Sequence, residues 1–132
     1  MTIRALIVDD DPTFLEAATE LLEEEGITMV GAASSSAEAE QEARRLRPDV
    51  VLIDVELGDE SGFDLARQLA AANGMPPITM IMISTYSEDD FVDLIAASPA
   101  RGFVSKYRVS AAAITDLLED GDGCGPVPIL SR

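Results

Sequence analysis

Three aspartates in a row, Asp9-Asp10-Asp11, follow the apolar run at residues 3–8, and Asp54 directly follows Val50-Val51-Leu52-Ile53. Clustered carboxylates repel one another, so several gathered at one edge hold a hard cation through oxygen ligation. Magnesium suits two or three carboxylates, because it keeps several waters and accepts a phosphate oxygen as a further ligand. Within such a cluster Asp54 is the natural nucleophile: its carboxylate attacks phosphorus to give an aspartyl phosphate, and the metal offsets charge repulsion. Lys106 is the single lysine of the chain. Its compact ammonium pairs with a phosphate or carboxylate oxygen. Ser84 has a hydroxyl to donate to a phosphoryl oxygen. Each residue also has a plainer reading. Asp9 to Asp11 suit a solvated turn with a helix cap, Asp54 a strand end, Lys106 a snorkelling side chain and Ser84 a cap after a strand. The set as a whole points to phosphoryl transfer.

That chemistry requires the chain to bring distant residues to one place. Short Val-, Ile- and Met-rich runs at 3–8, 27–31, 50–53, 78–83 and 102–104 read as buried strands. Helical patterns lie between them. Phe14, Leu15, Ala18, Leu21 and Leu22 recur at helical spacing, with Asp11 as cap, Pro12 at the first helical position and Gly26 as the stop. A second helix is expected over about 37–46, ended by Pro48. Phe63, Ala66, Leu69 and Ala70 mark a third, closed by Asn73-Gly74. Ser87-Glu88-Asp89-Asp90 resembles a capping box ahead of a fourth helix bearing Phe91, Leu94 and Ile95, broken by Pro99. Ser110 caps a fifth, expected to run through Leu118. Strands alternating with helices imply an α/β domain with a mostly parallel sheet covered on both faces. In such a sheet ligands bind at the carboxyl ends of the strands. The exits there are Asp9-Asp10-Asp11, Asp54, Ser84-Thr85 and Ser105-Lys106.

Composition narrows the field. A chain of 132 residues, 47% hydrophobic, accommodates one domain with an ordinary core. Asp plus Glu outnumber Lys plus Arg by 25 to 9, a formal charge of −16 that repels nucleic acid and anionic membranes. With no histidine, the usual general base and zinc ligand are missing. The lone cysteine, Cys124, forms no internal disulfide and is compatible with a reducing compartment. No segment approaches the ~18 apolar residues of a membrane span, and Met-Thr-Ile-Arg does not begin a signal peptide. A cytoplasmic location is expected. Residues 1–119 read as the domain, and 120–132 as a flexible Gly/Pro-rich tail or linker.

The ordered set of motifs resembles the receiver domain of two-component response regulators, over roughly residues 3–118. It comprises Leu-Ile-Val-Asp-Asp, Val-Leu-Ile-Asp-Val with Gly62 following its aspartate by eight positions, Ile-Ser-Thr, and Gly-Phe-Val-Ser-Lys. The resemblance implies a flavodoxin-like (βα)5 fold, doubly wound, with strand order 2-1-3-4-5. It implies Asp54 as phosphoacceptor, and Mg2+ (or Mn2+) held by Asp10 and Asp54, by Asp9 mainly through water, and by the Glu56 carbonyl. Ser84 takes the position that hydrogen-bonds the phosphoryl group, Phe103 the aromatic switch position, and Lys106 the lysine. Glu56 and Tyr86 occupy variable positions expected to tune dephosphorylation.

The implied partner is a histidine kinase or phosphotransfer protein. Output, including possible homodimerisation, would pass through the face of helix 4, strand 5 and helix 5. No direct contact with nucleic acid or membrane is expected, and no catalysis beyond the domain's own phosphorylation and dephosphorylation. Two departures from the pattern stand out. Tyr107 replaces the usual proline after the lysine, and Leu57-Gly58 replaces Met-Pro, which predicts a looser loop after Asp54. Two rival readings remain: a phosphorylation-independent interaction module of the same shape, and a haloacid-dehalogenase-like phosphatase using Asp9 within Asp9-Asp10-Asp11-Pro12-Thr13.

Overall fold

Strand and helix alternate along the whole domain. The order is β1 (Arg4–Val8), α1 (Pro12–Glu24), β2 (Thr28–Ala33), α2 (Ser36–Leu46), β3 (Val50–Asp54), α3 (Gly62–Ala71), β4 (Thr79–Ser84), α4 (Val92–Ala96), β5 (Gly102–Ser105) and α5 (Ala111–Asp122). The computed structural model describes residues 2–72 and 78–122, with side chains through residue 119. The five strands form one parallel sheet in the order β2-β1-β3-β4-β5, the doubly wound arrangement the motifs imply. The Asn73-Gly74 turn and most of the expected tail, Cys124 included, lie outside the described residues. The last helix runs to Asp122, past the position at which the tail was expected to begin.

The sheet is buried on both faces, so its central strands are continuously apolar and their side chains alternate between two cores. Leu6, Val8, Val51, Ile53, Met80 and Met82 face α2 and α3, meeting Ala39, Ala43, Phe63 and Leu65. Ala5, Ile7, Val50, Leu52, Ile81 and Ile83 face the other way, against Leu22 of α1 and Ile114 of α5. Each fully buried Leu or Ile stabilises the fold by roughly 1.5–3 kcal/mol.

Polar side chains set where the helices begin. Asp11 accepts from the Thr13 amide at 3.0 Å with Pro12 behind it, as expected. Ser35 caps α2, and Ser61 caps α3 by accepting from Phe63 and Asp64. Ser110 Oγ accepts from Ala113 at 3.0 Å, while the Glu25 carboxylate reaches across from the end of α1 to accept from Ala111 at 2.7 Å.

The fourth helix departs from expectation. Glu88–Phe91 is a tight 3-10 turn in which Ser87 Oγ accepts from Asp89, and α4 itself has five residues, none of them buried. Only Phe91 and Ile95 pack against the core from this stretch. Two apolar anchors hold about one turn, so neighbouring Val92 and Leu94 stay 55% and 48% exposed.

Candidate functional site

The rim at the carboxyl ends of the strands is set by sheet register. Val8 pairs with Ile53, Asp54 with Ile83 and Ser84 with Ser105, so Asp9, Asp54, Ser84 and Lys106 emerge side by side. Asp9, Asp54 and Ser84 are the buried polar residues of the described domain, whereas Asp10 is exposed. Asp10, Asp11, Asp54, Glu56, Gly58, Ser84, Thr85 and Lys106 line a polar cleft of about 370 Å3.

Lys106 Nζ lies 2.6 Å from Asp9 Oδ2 and 3.0 Å from Asp54 Oδ2. The contact with Asp54 is a hydrogen bond. The one with Asp9 is an ion pair whose angles fall short of a hydrogen bond, so Asp9 Oδ2 is buried beside a charge but lacks an aligned donor. Asp9 Oδ1 accepts from the Asp11 amide at 2.9 Å, and Asp54 Oδ1 accepts from the Glu56 amide at 3.1 Å. Burial pushes the Asp54 carboxyl up to about 6, and repulsion from Asp9 adds to this. The Lys106 ammonium and the Glu56 amide act in the opposite direction. Burial also works against the charge on Lys106, but the two carboxylates outweigh it and hold the ammonium above its usual range.

One oxygen from each of Asp9, Asp10 and Asp54 lies within 4.8 Å of the others. An all-oxygen, carboxylate-rich set with an incompletely satisfied buried oxygen fits a hard divalent cation such as Mg2+, whose charge would also offset the Asp9 repulsion that adds to the effect of burial on Asp54.

The loop after Asp54 is not slack. Glu56 and Leu57 pair antiparallel with Glu60 and Ser61, Leu57 is buried, and Gly58 turns at φ +61°. Glu60 Oε1 accepts from the Ser36 amide at 2.9 Å and ties the hairpin to α2. Replacing Met-Pro therefore yields a compact turn, in which glycine supplies the left-handed corner. Gly62 is required for another reason: a Cβ there would overlap the Asp54 carbonyl oxygen.

The remaining expected residues sit around the cleft. The amide of Tyr86 donates to Ser84 Oγ at 3.0 Å, and its ring leans on Phe91 at 6.3 Å between centroids. Phe103 is half-buried, 6.0 Å from Phe91, beside an apolar groove of about 600 Å3 that also involves Tyr86, Val104 and Leu117. No cis peptide bond occurs among the described residues, and Lys106–Arg108 forms a 3-10 turn. The sequence reading missed Phe14. It assigned that residue only to the apolar stripe of α1, yet Lys106 Nζ stands 4.7 Å from the centre of its ring. Helical spacing carries no signal for a contact with a residue 92 positions away.

Comparison with known proteins agrees with this geometry. A family model described as "Response regulator receiver domain" matches residues 5–119. The response regulator GacA of Pseudomonas viridiflava is 33% identical over 79% of this chain and 48% of its own length. Protein-glutamate methylesterase/protein-glutamine glutaminase 3 of Myxococcus xanthus is 41% identical over 70% of this chain and 25% of its own. The chain thus spans about half or less of the curated relatives it matches. The receiver domain of the putative response regulator NarL from Mycobacterium tuberculosis superposes with a TM-score of 0.78, covering 92% of this chain and 98% of that one; at 24% identity it speaks for the fold. Phosphorylation on an aspartate and Mg2+ binding in an acidic pocket are general features of such domains. With its motifs, strand order and acidic rim in agreement over residues 5–119, the chain belongs to the receiver domain family of two-component response regulators.

Proposed function

We propose that Asp54 is the phosphoacceptor of this receiver domain. The observation that supports it is the convergence of Asp54, Asp9, Asp10 and Lys106 on one rim, with Asp54 facing the cleft and bonded to the ammonium. In this reading an Asp54 carboxylate oxygen attacks the phosphorus of a phosphohistidine on a partner kinase or phosphotransfer protein. An O–P bond forms as the P–N bond breaks, and the imidazole leaves. Lys106 neutralises an equatorial phosphoryl oxygen, and Ser84 donates its hydroxyl to another. Asp10 and Asp54, with Asp9 and the Glu56 carbonyl, would hold Mg2+ (or Mn2+). When bound, the cation offsets the charge that develops on the phosphoryl oxygens.

The phosphoryl group carries about −1.5 to −2 charge units where the single charge of the Asp54 carboxylate stood. Ser84 moves toward it, Phe103 fills the vacated space, and the face of α4, β5 and α5 changes shape to meet a partner or a second copy. Glu56 and Tyr86 flank the phosphoryl position and tune its hydrolysis. The domain through the end of α5 serves as the signalling unit, operating in the cytoplasm, and the residues that follow as its tail or link to an effector. The phosphatase reading built on Asp9 is disfavoured, because Asp9 is fully buried against Lys106 and does not line the cleft.

The test is labelling with a small acyl phosphate and Mg2+. Wild type incorporates phosphate, Asp54→Asn incorporates none, and Asp10→Asn falls by at least about tenfold. Full magnesium-dependent labelling of Asp54→Asn would overturn the assignment.

A further inference from the structure

The lysine at the rim is held from a third side. Lys106 Nζ has Asp9 Oδ2 at 2.6 Å, Asp54 Oδ2 at 3.0 Å and the ring of Phe14 with its centroid at 4.7 Å. Phe14 stands in the first turn of α1, which starts at Pro12 directly after the acidic turn and is fastened there by Asp11. The ring's place thus follows from the same three-aspartate turn that builds the cleft. Its face carries negative charge density that attracts an ammonium, and its bulk helps leave only 11% of the Lys106 side chain exposed. Excluding water strengthens every charge interaction that the ammonium makes.

We propose that Phe14 is a positioning residue for Lys106, holding the ammonium at the rim as its anionic partner changes. The inference rests on Asp54 being the phosphoacceptor. Before transfer Lys106 is bonded to an Asp54 oxygen, and after transfer it must follow the charge to the phosphoryl group. The two carboxylates are poor guides for that movement, because one is consumed as the nucleophile and the other pulls inward toward the core. The attraction of the Phe14 face is the same before and after transfer. It lets the ammonium shift by one oxygen without swinging into solvent, and phosphorylation gains because the cation is already in place.

The experiment compares wild type with Phe14→Leu, which keeps an apolar side chain but removes the ring, and Phe14→Tyr, which restores one. In the unphosphorylated protein the Lys106 ε-methylene protons should show an upfield ring-current shift, retained in Phe14→Tyr and lost in Phe14→Leu. Labelling by a small acyl phosphate with Mg2+ should slow about threefold in Phe14→Leu and recover in Phe14→Tyr. Thermal unfolding of the same samples separates this from lost packing, since the rate is expected to fall without a matching fall in Tm. Absence of the shift in wild type overturns the proposal, even if Phe14→Leu does not fold. So does a wild-type labelling rate in Phe14→Leu. If the wild type takes no label at all, the Asp54 reading fails with it, and this outcome is recognisable because the shift is measured without any phosphodonor.

Discussion

Asp54 is a carboxylate held against its own charge. Burial, with Asp9 alongside, raises it from 3.8 to about 6 despite the help of Lys106 and the Glu56 amide. The sign of the resulting pH dependence follows. Between the unfolded value and about 6 the native state binds a proton that the unfolded chain has released, so this group's stabilisation is fully present below the unfolded value and is lost as pH rises through about 6. Metal-free Asp54→Asn should therefore be more stable than wild type by about 1–2 kcal/mol at pH 7, with the gap closing toward pH 4 in urea titrations. Mg2+ affinity should run the opposite way and weaken below pH 6, since a proton on Asp54 competes with the cation. Equal stability of the two proteins at pH 7 would contradict the charge balance described here. Chemical type made Asp54, Asp10 and Lys106 legible in the chain, because each directly follows or flanks an apolar run. The ion pair of Lys106 with Asp9 was not legible, since it depends on β1 and β5 ending at one level with β3 and β4 between them.

Among the elements, the junction of β3 with α3 constrains the site most tightly. The Gly62 amide donates to the Val55 carbonyl at 2.8 Å, and α3 starts so close under the end of β3 that a side chain at Gly62 has no room. The obstacle is backbone, the Asp54 carbonyl, whose carbon would lie 2.9 Å from an added Cβ, so it has no rotamer by which to give way. Gly62→Ala is expected to destabilise by about 2–4 kcal/mol, measured by urea unfolding, and to weaken Mg2+ binding by shifting Asp54. A stable variant with unchanged Mg2+ affinity would show that α3 floats free of the site. Strand and helix positions were readable from the chain because hydrophobic period and capping residues act locally, as at Asp11 and Ser110. The ladder at 56–61 and the brevity of α4 were not, since the first is tied by Glu60 to α2 and the second is set by how little of its surface finds the core.

For the molecule as a whole, a charge of −16 sets the background against which the site works. Salt of any kind should raise the melting temperature by screening this self-repulsion. A specific site adds stabilisation beyond that. At ten times its dissociation constant Mg2+ contributes about 1.4 kcal/mol, so melting in MgCl2 should exceed melting in NaCl of equal ionic strength. Asp10→Asn should remove that excess, and an excess that survives the substitution would place the cation elsewhere. The amino-acid sequence by itself determined the alternation of strand and helix, a mostly parallel sheet covered on both faces and the chemical identity of the rim, because apolar periodicity and strand exits are properties of contiguous residues. Tertiary structure alone decided which carboxylate the ammonium meets at 2.6 Å, that the loop after Asp54 closes tightly, and that a phenylalanine of α1 faces Lys106. These contacts join residues brought together by sheet register and helix packing, and distances across a sheet have no counterpart in spacing along a chain.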